Sequence, residues 1–578
     1  MFSTAGTLVW RDVVGKRWVR CGVWQAVITA SVWLFWETLI SILLSPSSHG
    51  SHELSRSSFV SSLWALIRFL SFQVSQVLFL TGQTFVSAPE EADSVSLVDL
   101  IGQLIRLAWR AGVGRSRGDH FASDVGELRR KIRTFLDYTS FLILCVLSGI
   151  LAFCSLLSFT HSPARRLSAL DCGIRGTALG LLYAGWQIYH MRVTLRFPVI
   201  QRQLFFAFKL GVPSALETSL YAAAFTLPLG EVSSLIVPTG ATASSRNTRE
   251  NELLFFFWRQ LFLSAAAFFV VFCWECCHHI IQVIQTKRHV LAPPLGSSAA
   301  ETDPTDLLLM VLEESDPGSL VQYHAYLDLC VVSDSNVDTW RRAAFFEETG
   351  DTYKRLIRAC LKKLDGLTIR LAQRLEVGEA EKNADFLKQQ VQPSPGDTRA
   401  YAFQLGNVKA YFRDSQVCTW SARTVASLTA ASRYEDRYGV AQLHGCNTAV
   451  VSSLLSCLLV IEVYLGRRSS PRAVTFVPNS IKWTVPSRGS FTEVGKKQGH
   501  PFGKRTIMHK KAYAMADVLR TSIYQIVSVF GEEMVHVGSL GRGTAIAERD
   551  WLSCQKPLYG THEMHLQKLG MFLQYRIG

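Results

Sequence analysis

Apolar runs long enough to cross a bilayer crowd the first half of this chain and constrain its fold more than any other feature. They cover 22–44, 59–82, 137–160, 170–191, 213–238 and 253–285. A helix rises 1.5 Å per residue, so about 20 apolar residues span a hydrocarbon core of about 30 Å. Run 22–44 carries one charge, Glu37; 59–82 is interrupted by Arg68; the stretch 141–160 carries none. The other runs hold their charges towards their ends: Asp171 and Arg175, Glu217 and Glu231, Arg259 and Glu275. The pattern predicts an all-α protein in which residues 1–290 form a polytopic six-helix transmembrane domain. The first run is too long for the apolar region of a cleavable signal and is followed by another apolar run, so it reads as an anchor.

Basic residues near the ends of the runs set the orientation. Arg11, Lys16, Arg17 and Arg20 precede the first run. Arg106, Arg110, Arg115, Arg117, Arg129, Arg130, Lys131 and Arg133 fill the second connection. Arg192, Arg196, Arg202, Lys209, Lys287 and Arg288 lie on that same side. The opposite side carries Arg56, Arg165, Arg166, Arg246 and Arg249. Both termini are therefore expected in the cytosol. Within the basic connection, 97–110 has helical periodicity: Leu97, Leu100, Ile101 and Leu104 share an apolar face, with Arg106 and Arg110 opposite. Such a helix can lie on an anionic membrane surface, or pack over the ends of the bundle.

After Lys287 the character changes. Residues 291–320 are rich in Pro, Ser and acids and read as a linker with a short helical turn. Residues 321–535 return to helical patterning and predict a soluble α-helical domain. The uncharged stretch 445–461 sits at the bottom of the transmembrane range, yet its Asn447, Thr448, Ser452, Ser453 and Ser456 suit a buried soluble helix better. Residues 536–578 read as a divergent, disordered tail.

Composition narrows the function classes. Hydrophobic residues make up 48% and charged residues 18%, which excludes a disordered or fibrous chain. Thirteen cysteines in 578 residues exclude a small disulfide-stapled fold. The net charge of +14 fits apposition to anionic lipid; no groove-reading motif suggests specific nucleic-acid binding. Cys273-Trp-Glu-Cys-Cys-His-His279 places thiols on one helical face, as a metal site would, but cysteine is also a routine small hydrophobe at a helix end. The reading is no metal, no cofactor and no catalytic residue. Intramembrane ionisable residues raise a transporter or channel as the competing class, which would need a cavity lined by Glu37 or Glu217. A membrane-bound enzyme would need polar groups converging at one membrane face.

Particular strings carry a resemblance. Tyr326-Leu-Asp-Leu-Cys330, followed by Asn336-Val-Asp-Thr-Trp-Arg-Arg-Ala-Ala-Phe-Phe-Glu-Glu-Thr-Gly350, resembles the segment after the membrane region of plant transmembrane nucleoporins of the nuclear-division-cycle (Ndc) family. The segment from Trp420 to Arg433, with Tyr438-Gly-Val-Ala-Gln442, is similar to that family's central helices, and Lys511 to Arg520 to its last helical block. The resemblance covers about residues 8–535. It implies a non-enzymatic anchor in the nuclear pore membrane that tethers scaffold nucleoporins and supports pore assembly. The implied partners are the lipid bilayer, the inner-ring nucleoporin with an RNA-recognition-motif-like domain, the WD-repeat nucleoporin aladin and other pore-membrane proteins. Trp340, Arg341, Arg342, Phe345 and Phe346 gather the residue types enriched at interface hot spots and are the candidate docking residues. The alternative is that Trp340 and Phe345 are buried and the two arginines form a solvated face.

Overall fold

The computed structural model describes residues 11–44, 56–89, 119–157, 169–198, 201–236, 249–293, 296–336, 338–388, 412–443, 445–469, 502–536, 551 and 556–577. Among them the chain is helical throughout, with one isolated bridge between Ala88 and Thr194. It divides into two compact units, Met1–Arg288 and His289–Gly578.

A π-helical turn, Arg11–Gly15, opens the first unit. Its helices are α1 (Lys16–Leu44), α2 (Arg56–Val86), α3 (Asp119–Leu157), α4 (Ala169–Tyr189), α5 (Leu204–Ile236) and α6 (Arg249–Gln285). Chain neighbours pack as pairs, α2 on α3, α3 on α4 and α5 on α6, and α1 lies on α6. The 39 residues of α3 rise about 58 Å, so its charged first turns extend well past the apolar stretch.

The interior of this unit is aromatic. Trp36, Phe72, Phe79, Phe141, Phe153 and Trp274 are fully buried. Phe79 stacks on Trp274 at 5.2 Å between ring centroids, and Tyr183 meets the same indole at 5.0 Å. Helices α3 and α4 are drawn together by glycine. A Cβ at Gly176 would lie 2.6 Å from the Gly149 carbonyl oxygen, and one at Gly180 would lie 2.6 Å from that of Cys145. Gly176 and Gly180 form the small-xxx-small spacing that lets membrane helices approach backbone to backbone.

The outward faces of these helices are apolar. Trp24, Leu34, Phe35, Ile42, Trp64 and Phe225 are exposed, Ile42 to 75%. Water would not tolerate such a surface on a soluble protein, whereas a bilayer covers it. The count of six spans is refined by length and composition. Among the described residues, four helices of this unit meet the requirement for crossing a membrane, within α1, α2, α3 and α6. Helix α4 carries Arg175 within its apolar part, and the side chains of α5 beyond Phe225 lie outside the described residues.

The second unit holds α7 (Ser298–Thr302), α8 (Asp306–Glu314), α9 (Leu320–Asp334), α10 (Thr339–Ala343) and a 3-10 turn, Ala344–Phe346. There follow α11 (Asp351–Lys388), α12 (Ser415–Glu435), α13 (Val440–Leu443), α14 (Cys446–Ser469), α15 (Phe502–His536) and α16 (His562–Ile577). Its centre is α14, which α11, α12, α15 and α16 surround. Val450, Leu454, Leu455, Leu458, Val460 and Ile461 point in successive directions and all are buried. Residues Cys446–Gly466 are long and apolar enough to span a bilayer, yet 78% of the window is enclosed by protein. A helix apolar on all sides needs cover all round, and here neighbouring helices supply it.

Two sequence expectations are corrected. Within 291–320, expected as a linker, Leu291 is buried and α8 packs Leu308, Leu309, Val311 and Leu312 against α9 and α11. Within 536–578, expected as a disordered tail, α16 places His565, Leu569 and Leu573 against α14 and α15. In both places a short apolar face sits inside polar composition, and burial of that face outweighs the composition of its surroundings.

Candidate functional site

Two carboxylates within the apolar runs of the first unit, Glu37 and Glu275, are paired with arginines from other segments. Glu37 of α1 and Arg68 of α2 form an ion pair, and the Arg68 guanidinium lies 5.5 Å from the Trp33 ring centroid. Glu275 of α6 is fully buried and bidentate to Arg192, whose two terminal nitrogens donate at 2.9 and 2.8 Å. Tyr183 Oη donates to the same carboxylate at 3.0 Å, and Gln187 Nε2 donates to Tyr183 at 2.7 Å. The Arg192 guanidinium is stacked 4.5 Å over Trp186. Removing a charge from water costs several kcal/mol, which a bidentate partner and further hydrogen bonds offset.

This lattice lies where several helices end. Gln282 of α6 donates to the Thr194 carbonyl at 2.9 Å and accepts from the Arg196 amide at 3.1 Å. Arg17 of α1 donates to the carbonyls of Gln285 at 2.9 Å and Lys287 at 2.7 Å. It thereby satisfies carbonyls that the end of α6 leaves without helical partners, and sets a cation at the negative end of the helix dipole. The arrangement is mechanical: each charge fastens one helix to another.

The cysteine–histidine run has diverging partners. Cys273, Cys276 and Cys277 are buried in the packed face of α6. His278 Nδ1 lies 3.3 Å from Gln83 of α2, whereas His279 packs so closely on Gly211 of α5 that a Cβ there would lie 2.7 Å from its Nδ1. Among the described residues no three His, Cys, Asp or Glu side chains could hold a metal ion together.

In the second unit the candidate docking string has a defined local structure. Arg341 of α10 is buried and reaches Asp328 of α9 at 2.8 Å and the Leu291 carbonyl at 3.2 Å. Asp328 also accepts from the Leu291 amide at 3.0 Å, so one ion pair fastens the chain entering the unit to α9 and α10. Arg342 takes the carboxylate of Glu435, at the end of α12, and donates to the Ser333 carbonyl at 3.2 Å. Phe345 and Phe346 are buried, Phe346 stacking on Tyr353 at 5.2 Å. Trp340, at 39% exposure, is the member of the string that meets solvent. The Arg342–Glu435 latch joins the ends of α10 and α12, and Tyr434 and Tyr438, next to that latch in sequence, are exposed as well.

Sequence reasoning missed the partners. Glu275 and Arg192 are 83 residues apart, and Arg342 and Glu435 are 93 apart, so no local spacing marks either pair. The signal that was available is hydropathy: a charge well inside an apolar run must find an opposite charge. Leu97, Leu100, Ile101, Leu104, Arg106 and Arg110 lie outside the described residues.

Residues 174–407 match the family model described as Nucleoporin protein Ndc1-Nup. Among curated proteins, no relative matches the chain. The matched stretch begins in α4 and continues through α5 and α6 into the second unit, beyond α11. Over residues 174–407 the chain is thus similar to the Ndc1-Nup nucleoporins, and its apolar bundle of helices fits a multi-pass membrane protein of that kind.

Proposed function

We propose that the protein anchors the nuclear pore scaffold to its membrane: the first unit holds the bilayer and the second is a docking platform for other nucleoporins. The observation that carries this reading is the extent of the family match, which takes in membrane helices and helical unit as one stretch. A transporter needs only the former and a soluble scaffold protein only the latter. Both termini and the second unit lie on the cytosolic, pore-facing side, in keeping with the distribution of lysine and arginine. The apolar and basic pattern of 97–110 suits contact with the anionic, pore-facing leaflet.

Docking is a matter of exposed aromatic rings on a rigid base. Trp340, Tyr434 and Tyr438 are exposed, while Arg341, Arg342, Phe345 and Phe346 hold the backbone beneath them. The partners that suit this role are the inner-ring nucleoporin with an RNA-recognition-motif-like domain and the WD-repeat nucleoporin aladin. The chemistry is adhesive, without a catalytic step.

Proximity labelling tests the reading. The full chain should label scaffold nucleoporins, and Trp340→Ala with Tyr434→Ala should reduce that labelling while leaving expression and envelope localisation intact. A truncation to residues 1–290 should reach the nuclear envelope and label few nucleoporins. Equal labelling by the truncation would place docking in the membrane helices. Labelling of transport substrates without nucleoporins would refute the anchor.

A further inference from the structure

The segment between α4 and α5 is bound along α6. Gln282 holds Thr194 and the Arg196 amide. Nearer the end of α6, Gln201 Nε2 donates to the Thr286 carbonyl at 3.4 Å, and its Oε1 accepts from the Arg288 amide at 3.4 Å. Further along α5, Gly211 lies against His279. With Gln201 beside Thr286 and Gly211 beside His279, α5 runs antiparallel to α6, and Lys209 stands about level with Ile281.

These contacts arrange four cations in two tiers. Arg196 and Lys209 form one, level with Ile281 and Gln282; Arg202 and Lys287 form the other, about 7 Å further along α6. The head-group layer on each side of a hydrocarbon core is about 5–7 Å thick, so one layer takes in both tiers. All four are exposed, and among the described residues none is paired with a carboxylate. Their own segments offer none: no Asp or Glu occurs from 172 to 216 or from 276 to 300. Cations gathered without counter-charge repel one another, and an anion from outside relieves that repulsion.

Aromatic rings share the same level. Phe205 and Phe206, exposed between Arg202 and Lys209, meet edge to face at 5.6 Å. Trp18, next to Arg17 where it caps α6, and Tyr189 at the end of α4 are exposed as well. Trp and Tyr gather where hydrocarbon meets water, and Lys and Arg lay their stems along apolar surface to place the charge among head groups.

We infer that this collar binds anionic phospholipid, its four cations taking the charged head groups while Phe205 and Phe206 sit among the upper acyl chains. The inference rests on the reading of the first unit as a bilayer domain. A nucleic acid or an acidic peptide would match the charges but leave Leu210 and the outward face of α5 uncovered. A zwitterionic lipid covers that face but brings no net charge to the cations.

Native mass spectrometry of the detergent-solubilised full-length chain, titrated with phosphatidylserine or phosphatidylcholine of the same acyl chains, provides the test. Phosphatidylserine should be retained the more tightly. Arg202→Gln alone should weaken it about fivefold, the equivalent of about 1 kcal/mol per cation at an anionic surface. Arg196→Gln, Arg202→Gln, Lys209→Gln and Lys287→Gln together should bring the two lipids level in a chain of unchanged helicity. Lys354→Gln with Arg358→Gln, exposed cations of α11, should leave the preference intact. An equal loss there would overturn the collar, because net charge alone would then select the lipid. Equal retention of both lipids by the unaltered chain would overturn the collar and leave the bilayer domain standing; retention of neither would remove both. Displacement of phosphatidylserine by an equal concentration of polyglutamate or short RNA would overturn lipid as the occupant.

Discussion

The two units solve the same problem with their apolar side chains turned in opposite senses. In the first, Leu34, Ile42 and Phe225 face away from the protein, while the interior holds aromatic rings, glycine contacts and paired charges. In the second, Leu454, Leu455 and Leu458 face inward on α14, and the surface carries ion pairs such as Arg355 with Glu313 at 2.7 Å. The difference teaches that α14 and α1 cannot be told apart by hydropathy alone. Both pass as membrane helices, and only what covers them separates them.

The sharpest way to break this contrast is to make a comparable change on each side of it. In the second unit, Arg341→Ala removes the counter-charge of buried Asp328 and should cost about 3–5 kcal/mol. Leu454→Ala should cost about 2–5 kcal/mol by opening a cavity in the core. Thermal unfolding of the detergent-solubilised chain, followed by circular dichroism, measures both; shifts near zero would mean that this core is not packed as described.

A smaller effect tests the glycine seam. Gly176→Ala drives a methyl group into the Gly149 backbone, and relief requires α3 and α4 to part, at about 1–3 kcal/mol. Gly173→Ala on the same helix meets nothing within 4 Å and should be silent or slightly stabilising. If the two variants unfold alike, close approach does not hold this pair.

Acid should detach α16 before it disturbs the rest of the second unit. His565 is buried, and its Nε2 lies 3.0 Å from the Tyr559 carbonyl, which leaves Nδ1 without a hydrogen-bond partner. Burial, outweighing the Tyr559 hydrogen bond and aided by the nearby His562, holds its pKa below the ordinary 6.5. The folded state thus prefers the neutral ring. Stability from α16 is present above pH 6.5 and falls as the pH drops through that value. Amide exchange in 562–577 should quicken between pH 7 and 5 in the wild type; His565→Gln should flatten the dependence.

The smallest effect sharpens the comparison most. Leu34→Ala, at 65% exposure on the outward face of α1, should change stability in a bilayer by less than about 0.5 kcal/mol. It removes the same atoms as Leu454→Ala. A large loss at Leu34 would reveal a protein contact where lipid is expected.

Much of this architecture was legible in the chain. The long apolar runs mark the helices of the first unit. The serines and Asn447 within 445–461 favour a soluble helix, and that stretch lies in the enclosed α14. The candidate docking string was legible only as composition. Arginines and aromatics that would make a hot spot are also what a buried latch requires, and the distinction depends on Asp328 and Glu435, which no spacing connects to them. His565, Leu569 and Leu573 did carry a helical signal at intervals of four, obscured by the glycine-rich residues before them.

The pairing of Arg192 with Glu275 also bears on how the protein is made. The chain is synthesised from its N-terminus, so Arg192, with Tyr183 and Gln187, emerges before Glu275 does. A carboxylate entering hydrocarbon unaccompanied costs about 3 kcal/mol even on insertion scales. Helix α6 is apolar enough to cross a membrane by itself, and its one deep carboxylate has a cation made before it, in the segment that follows α4. A chain that loses Arg192 should falter as α6 inserts, with that carboxylate unaccompanied before any pore is near.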